Sequence, residues 1–240
     1  ADLSLSVWCL SKLTQKPYLV YAYGKDVLTK QNSFLSKIWK NKLISFALKR
    51  AKIVVTISQF SKITLTGLGV KNSKITVINP CLKEGIFYPK TEEGISIKKR
   101  YQLENRKVLL SVGRLVERKG HDYVIKSLPL VLKQIPNTTY LIVGSGTEKG
   151  QLCQLVNSLK LEENVVFAGY VDDTQLNSYY NVCDIFIMPS RELPGDVEGF
   201  GIVYLEANAC GKPVIGGKCG GIEDAIIDGK TGLLVNPTNV

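Results

Sequence analysis

The chain has 240 residues, of which 45% are hydrophobic and 22% are charged, proportions typical of a soluble globular protein. No apolar run approaches the ~18 residues that a membrane-spanning helix needs. We recognise no signal peptide, and we expect a cytoplasmic protein. The net charge of +10 is uneven: residues 1–106 hold 19 Lys and Arg against 6 Asp and Glu, whereas residues 107–240 hold 12 against 15. This difference predicts two domains with different partners.

The cysteine pattern favours free thiols. No C-x-x-C pair occurs, and several cysteines lie in apolar segments, so we expect buried thiols in a reducing compartment. The sequence also lacks a Cys/His ligand spacing and a D-x-D motif, so neither a metal nor another cofactor is expected. The six cysteines are Cys9, Cys81, Cys153, Cys183, Cys210 and Cys219.

Short apolar runs alternate with helical patterns along the chain, which favours parallel sheets covered by helices. Residues 1–82 supply three strands, and three strands cannot form a stable doubly wound sheet with both faces covered. We therefore predict an incomplete first domain. Its strands are expected at Tyr18–Tyr23, Ile53–Ile57 and Ile75–Ile78, and its helices near Phe34–Lys49 and Ser61–Thr66.

The first of these helices is basic and amphipathic. Two interpretations remain open: it docks on an anionic membrane surface, which makes the protein peripheral on the membrane, or it covers the sheet with its lysines in solvent. Nucleic acid is not an expected partner, because no helix-turn-helix, RNA-binding or zinc signature accompanies the charge. The cations are Lys37, Lys40, Lys42, Lys49, Arg50 and Lys52.

Residues 83–106 are predicted to form a linker, since they contain Gly85, Pro89, Gly94 and a charged run without a sustained apolar period. Residues 107–240 are predicted to form a nearly complete doubly wound domain, with ligands at the carboxyl ends of its strands. The strands are expected at Val108–Val112, Thr139–Val143, Val165–Ala168, Ile185–Pro189, Pro213–Ile215 and Gly232–Val235, with helices starting near His121, Glu148, Thr174, Ile202 and Gly221.

A first motif, SVGRLVERKG at residues 111–120, follows the first strand of this second domain. It brings Arg114 and Lys119 to the cleft at the strand end. Arginine offers a planar fork for phosphate oxygens, and lysine offers a movable point charge. On spacing alone, the two could equally be solvated surface cations.

A second motif places two carboxylates, Glu198 and Glu206, on either side of G-F-G-I. A buried strand precedes it and a helix from Ile202 to Cys210 follows, so free N–H groups and the positive end of the helix dipole face the same space. The pattern suits a polyhydroxylated anion such as a sugar nucleotide. Without a ligand, Glu198 would be a turn residue and Glu206 a carboxylate stabilised by the helix dipole.

The two motifs, G-R-L-x(4)-K-G and E-G-F-G-I-x-x-x-E, together resemble the retaining glycosyltransferases of the GT-B fold, family 4, including phosphatidylinositol mannosyltransferase-like members. The resemblance implies an α/β protein with two Rossmann-like doubly wound parallel-sheet domains, the first incomplete in this chain. It also implies metal-independent, retaining transfer of a hexose from a nucleoside diphosphate sugar to a sugar or lipid-linked acceptor.

The resemblance further implies residue roles. Arg114 and Lys119 would hold the donor diphosphate and stabilise the leaving group. Glu198 would orient the donor sugar, and Glu206 would hold the ribose hydroxyls. The other predicted substrate-binding residues are Gly113, Tyr170, Val171, Ser190, Gly199, Phe200, Gly201, Ile202 and Tyr23.

Several assignments have alternatives. The backbone at Tyr170 and Val171 either contacts the nucleobase or is an ordinary strand end, and Ser190 either lines the cleft or caps a loop. The sole histidine, His121, is expected to be structural or solvent-facing. The G-x-G at residues 144–146 is a weak variant of a dinucleotide motif, so NAD is not expected.

The chain departs from the family pattern at Tyr23, where the family usually has a histidine that approaches the donor sugar and phosphate. A phenol can donate one hydrogen bond but carries no positive charge. Two other functions therefore stay open. One is a non-catalytic module that binds a nucleotide sugar. The other is a different enzyme of the same fold, such as a nucleotide-sugar epimerase or a phosphorylase-like enzyme.

Overall fold

A computed structural model describes residues 2–23 and 43–239. Its contacts divide the chain into two compact units. Unit 1 comprises Ala1–Pro80 and Glu192–Phe200, and unit 2 comprises Cys81–Arg191 and Gly201–Val240. Both units have a parallel sheet with helices, so the predicted α/β class is confirmed.

Unit 1 is built on a three-stranded parallel sheet in the order β1-β2-β3. Helix α3 begins where the Ser58 side chain accepts a hydrogen bond from the Ser61 N–H at 3.1 Å. The core between sheet and helices is aliphatic, with Leu48, Val54 and Leu65 at its centre. The elements are α1 (Asp2–Thr14), β1 (Leu19–Ala22), α2 (described over residues 43–50), β2 (Ile53–Thr56), α3 (Gln59–Gly67) and β3 (Ile75–Val77).

The predicted basic helix is only partly described. Residues 43–50 are helical, as expected, but Lys37, Lys40 and Lys42 lie outside the described residues. Arg50, at the end of α2, places its guanidinium carbon 3.6 Å from the centre of the Phe46 ring, which is a cation–π contact. Within the described part of α2, apolar side chains therefore serve the core of unit 1, and an arginine packs on one of its rings.

Unit 2 contains a six-stranded parallel sheet in the order β6-β5-β4-β7-β8-β9. Counted within the unit, this is 3-2-1-4-5-6, the order of Rossmann folds, in which ligands bind at the carboxyl ends where the strand order reverses. Here that reversal lies between β4 and β7. The strands are β4 (Lys107–Val112), β5 (Thr138–Val143), β6 (Val165–Gly169), β7 (Ile185–Met188), β8 (Val214–Gly217) and β9 (Leu233–Val235).

Helices cover both faces of this sheet, and every residue of β5 is buried, as the continuous apolar run predicts. A cluster around Leu128, Tyr140 and Leu152 joins α5 and α6 to the sheet. Aromatic rings of Phe186 and Tyr204, whose centroids lie 5.7 Å apart, join α8 to β7. The helices are α4 (Thr91–Arg100), α5 (His121–Gln134), α6 (Lys149–Ser158), α7 (Leu176–Val182), α8 (Ile202–Ala209) and α9 (Ile222–Ala225).

We expected residues 83–106 to act as a linker, but they contain α4, which packs in unit 2. The Lys90 N–H donates to Asn181 Oδ1 at 2.7 Å, and the Tyr101 and Tyr179 hydroxyls lie 3.1 Å apart. A Cβ on Gly94 would lie 3.3 Å from the backbone of Asn181. The glycine that suggested a break in structure instead allows α4 to approach α7 closely.

Candidate functional site

The loop after β4 carries the first motif and packs against the end of β7. Residues Glu117–Lys119 form a turn of 3-10 helix, and Gly120 follows in the left-handed conformation (φ 74°) before α5. Only glycine fits there, because a Cβ would overlap the Pro189 carbonyl oxygen. The loop thereby brings its cations to the place where the strand order reverses.

The two motif cations differ in burial. Lys119 is 9% exposed, whereas Arg114 is exposed to solvent. A Cβ on Gly113 would lie 3.8 Å from Lys119 Nζ and 3.7 Å from Met188 Sδ at the end of β7. Lysine is rarely so buried without compensating anions. The ammonium group is therefore built into the carboxyl edge of the sheet, between β4 and β7.

Glu206 lies one turn into α8, which begins at Ile202 as predicted and is preceded by Gly201 (φ 93°, ψ 59°). The Tyr180 hydroxyl donates a hydrogen bond to Glu206 Oε2 at 2.5 Å. Burial raises the pKa of Glu206, whereas Tyr180 lowers it, Asp173 raises it and Lys119 lowers it. The charge of the buried lysine thus acts on this carboxylate, as the smallest of the four influences on its pKa.

Arg191, at the end of β7, is a residue that sequence reasoning missed. Its Nη1 lies 2.6 Å from Asp122 Oδ1, and its Nη2 lies 3.5 Å from Glu117 Oε1. Burial would raise the pKa of Asp122, but hydrogen bonds from Arg191 and Lys126 outweigh it and hold that pKa below its usual value. These ion pairs join the loop after β7 to the loop after β4 and to the first turn of α5. No local sequence signal connects residues 69 apart.

His121 begins α5 and is buried, which decides between the two predicted alternatives in favour of a structural role. Its Nδ1 lies 3.0 Å from the Tyr140 hydroxyl, which lies 2.8 Å from Ser111 Oγ. The Ser111 hydroxyl donates in turn to the Ile187 carbonyl. Burial lowers the pKa of His121 to about 4, although the Arg114 carbonyl raises it. The imidazole is therefore neutral near pH 7 and connects β4, β5 and β7 under the motif loop.

The G-x-G at residues 144–146 supports the same loop. A Cβ on Gly144 would overlap the Gly113 carbonyl oxygen, and one on Gly146 would overlap the Leu115 carbonyl oxygen. The Leu115 N–H also donates to the Ser145 carbonyl at 2.9 Å. Contact between neighbouring strand-end loops therefore accounts for these glycines without a dinucleotide.

Three other predicted residues also follow strands at this edge of unit 2. Ser190 is fully buried, and its Oγ has no hydrogen-bond partner in the described part of the chain. Tyr170 is 75% exposed and Val171 is buried, both directly after β6. Since Ser190 makes no capping bond, lining a cleft remains its predicted role, and the nucleobase contact of the other two stays a prediction.

The remaining predicted residues belong to unit 1. Tyr23 follows β1 and is exposed, with its ring stacked 6.4 Å from that of Tyr21. Glu198, Gly199 and Phe200 lie on the segment Glu192–Phe200, between β7 and α8. Unit 2 therefore gathers the predicted diphosphate and ribose residues, whereas the roles of Glu198 and Tyr23 stay predictions.

All six cysteines are free, but only Cys183 and Cys210 are buried. Cys9 and Cys81 are exposed, which corrects the expectation of buried thiols for these two: Cys9 lies on the exposed side of α1, and Cys81 lies in a polar stretch after β3. In residues 2–23 and 43–239, no group of three or more His, Cys, Asp or Glu side chains could hold a metal ion. Of the helices described, none is long and apolar enough to cross a membrane.

The geometry defines a class: a Rossmann-type parallel sheet with buried cations at the carboxyl edge of its strands. The family "Glycosyl transferases group 1" matches residues 95–240, and the chain belongs to this family. The predicted family is thus confirmed.

Curated relatives include the GDP-mannose-dependent alpha-(1-6)-phosphatidylinositol monomannoside mannosyltransferase of Mycolicibacterium smegmatis, 34% identical over 79% of this chain and 50% of the relative. The monoacylated-substrate counterpart of Corynebacterium glutamicum is 40% identical over 64% of this chain and 41% of the relative. The chain therefore spans about half the length of the curated relatives it matches.

Solved structures show the same fold. HepE of Anabaena in complex with UDP has a TM-score of 0.85 and 24% identity, covering 99% of this chain and 63% of that one. Sucrose-phosphate synthase of Thermosynechococcus elongatus has a TM-score of 0.77 and 27% identity, covering 98% and 59%. The chain has the GT-B fold class and represents part of it.

Proposed function

We propose that this protein is a retaining, metal-independent hexosyltransferase that moves a hexose from a nucleoside diphosphate sugar to a sugar or lipid-linked acceptor. One observation carries the proposal: Lys119 is buried beside the ends of β4 and β7, where the strand order of a Rossmann sheet reverses, and its charge lowers the pKa of Glu206. A cation for phosphate and a carboxylate for hydroxyls are thereby held at one edge. The proposal makes residues 107–240 the donor-binding side and residues 1–82 the acceptor side.

The chemistry needs stabilisation of a leaving group. As the bond from sugar C1 to the diphosphate breaks, negative charge grows on the phosphate oxygens, and Arg114 and Lys119 neutralise it. The amino end of α8 adds a partial positive charge at the same edge. Glu206 accepts hydrogen bonds from the ribose hydroxyls. These side chains supply the charge stabilisation without a resident metal ion.

The sugar itself is assigned to the segment between β7 and α8. Glu198 accepts hydrogen bonds from donor-sugar hydroxyls and orients the ring. No carboxylate is assigned as a nucleophile, so retention is proposed to follow front-face substitution, in which the departing phosphate takes the proton of the acceptor hydroxyl.

The names of the relatives suggest which donor and acceptor to test for this protein. The mycobacterial and corynebacterial relatives are named for GDP-mannose and a phosphatidylinositol mannoside. HepE binds UDP and UDP-glucose in its structures. We propose GDP-mannose as the first donor to test. The positive charge of residues 1–106 supports an anionic membrane surface as the place where a lipid-linked acceptor is met.

The donor site is tested by calorimetric titration of the purified protein with GDP, UDP and ADP and with their sugar conjugates. We expect one nucleotide to bind selectively and Glu206→Ala to abolish that binding. No binding to any nucleotide by folded protein would contradict the proposal. EDTA should leave turnover unchanged, since the positive charge at the diphosphate comes from Arg114 and Lys119.

A non-catalytic binding module is the second candidate, favoured by Tyr23 in place of the family's histidine. Arg114→Ala separates the two functions in a radiolabelled transfer assay. In an enzyme, nucleotide affinity and transfer fall together. A module shows nucleotide binding in the parent protein and no transfer from any donor.

A further inference from the structure

We propose that Tyr180 is a positioning residue of the donor site: its hydroxyl fixes the Glu206 carboxylate in the orientation that receives the ribose hydroxyls. The inference rests on the proposed function and extends it to α7, a helix that neither sequence motif includes.

The geometry assigns a donor and an acceptor to this contact. The Tyr180 hydroxyl lies 2.5 Å from Glu206 Oε2. A phenol has a single proton to donate, and an ionised carboxylate has about four acceptor positions on its two oxygens. Tyr180 therefore uses its only proton on Glu206, and the carboxylate keeps acceptor capacity for the hydroxyls of a ligand.

The tyrosine ring cannot easily move. Tyr180 has no exposed surface, and its ring meets the edge of Phe87 with centroids 5.5 Å apart. Phe186 on β7 lies 5.7 Å away on another side. Packing that fixes the ring also fixes the hydroxyl. Supporting residues of this kind hold a binding group, here the Glu206 carboxylate, in its binding geometry.

The hydrogen bond between Tyr180 and Glu206 also affects the protonation of both side chains. Burial raises the pKa of Glu206, and the Tyr180 hydrogen bond opposes that rise; Asp173 raises this pKa and Lys119 lowers it. Burial and the neighbouring Glu206 raise the pKa of Tyr180 well above its usual value, with smaller effects from Cys210 and Cys183. Tyr180 thus stays protonated as a donor, and its hydroxyl helps to keep Glu206 ionised.

The chain offers a matched control in the preceding residue. Tyr179 is also buried on α7, but its hydroxyl lies 3.1 Å from that of Tyr101, beyond α4. Tyr179→Phe removes the same atom from the same helix and leaves Glu206 with its partner. This variant measures how much nucleotide affinity changes when α7 loses a buried hydroxyl that does not contact Glu206.

The experiment compares Tyr180→Phe, Tyr179→Phe and the parent protein in titrations with GDP, UDP and their 2′-deoxy forms between pH 5.5 and 8. For Tyr180→Phe we expect affinity for the preferred nucleotide to fall roughly 10- to 100-fold, as for loss of a hydrogen bond to a charged group. The preference for the ribose over the 2′-deoxy form should shrink toward one. Removal of the Tyr180 hydroxyl should raise the pKa of Glu206. As the solution is acidified, Tyr180→Phe should therefore lose nucleotide binding at a higher pH than the parent protein.

The outcomes separate the two proposals. If the parent binds a nucleotide in a Glu206-dependent way but Tyr180→Phe keeps the ribose preference and the pH profile, the inference is overturned and the proposed function stands. If the parent binds no nucleotide, both are overturned. If Tyr180→Phe does not fold, 3-fluorotyrosine at position 180 keeps the shape and strengthens the donor. It should then shift the pH profile to lower pH, and an unshifted profile overturns the inference.

Discussion

The two units treat positive charge differently. The basic half of the sequence supplies unit 1, yet no lysine or arginine among the described residues of unit 1 is buried, and its buried polar side chains are Thr56, Ser58 and Ser61. Unit 2 comes largely from the half with an acidic excess, yet it buries Arg118, Lys119 and Arg191 around one strand edge. The excess of positive charge thus lies in the half of the sequence that supplies unit 1, whereas the buried positive charges lie in unit 2.

This difference shows which kind of charge marks a specific site. A solvated lysine costs little and acts mainly through the long-range field, which suits a surface such as a membrane. Burying a cation is costly unless anions compensate it, so a protein retains one where its position matters. In unit 2, Asp122 and Glu117 compensate Arg191, and the charge of Lys119 acts on the Glu206 carboxylate. A diphosphate bound at that edge would complete the compensation.

The largest expected effect comes from removing the buried cation. We expect Lys119→Ala to weaken nucleoside diphosphate binding by about 4 kcal/mol, within the range measured for truncating one member of a buried charge pair. Calorimetry with GDP and UDP measures it. The control is Lys133→Ala, an exposed lysine of α5. Equal losses in both variants would mean that general positive charge, and not its burial, binds the anion.

The buried histidine of unit 2 should make the stability of the protein depend on pH. The pKa of His121 is about 4 in the folded chain and near 6.5 when unfolded, so its contribution to stability is full above pH 6.5 and is lost as pH falls toward 4. The loss amounts to roughly 3 kcal/mol. Urea unfolding at pH 7.5, 6 and 5 checks it, with His121→Gln as the variant in which this pH dependence disappears. Because His121 is the sole histidine, a slope as steep in the variant as in the parent would contradict the assignment.

The ion pairs of Arg191 should matter less, because they are only partly buried. We expect Arg191→Ala to lower the free energy of unfolding by about 2 kcal/mol, since Asp122 and Glu117 lose a partner held at 10% side-chain exposure. Lys126→Ala removes the more exposed partner of Asp122 and should cost under about 0.5 kcal/mol. Urea unfolding at pH 7 measures both. Equal costs would show that burial does not distinguish them.

How far the sequence predicts the fold depends on where the stabilising contacts come from. The nine strands found in the described residues all lie within two residues of their predicted bounds, because an apolar run in a parallel strand is a local signal. Helices α1 and α4 were missed. The contacts that hold α4 come from α7, 78 to 91 residues away, and a glycine such as Gly94 locally disfavours a helix.

The same limit applies to the site. Arg114, Lys119 and Glu206 could be predicted, because each lies in a short motif at a strand end. Tyr180 and Arg191 could not, since their partners lie 26 and 69 positions away and nothing local marks them. Sequence therefore predicts the groups proposed to touch the ligand, and the structure adds the groups that hold them.

The smallest expected effect tests Tyr23, an exposed residue of unit 1 that is predicted to contact the donor. If Tyr23 meets the donor, it does so as a neutral hydrogen-bond donor, so Tyr23→Phe should lower transfer by no more than about tenfold, the worth of one such bond. Tyr23→His restores a donor and should keep transfer near the parent rate. Both changes should leave the free energy of unfolding within about 0.5 kcal/mol, because the side chain is 53% exposed. Full activity of Tyr23→Phe would remove Tyr23 from the predicted donor contacts, while the positive charge at the diphosphate is assigned to Arg114 and Lys119 in either case.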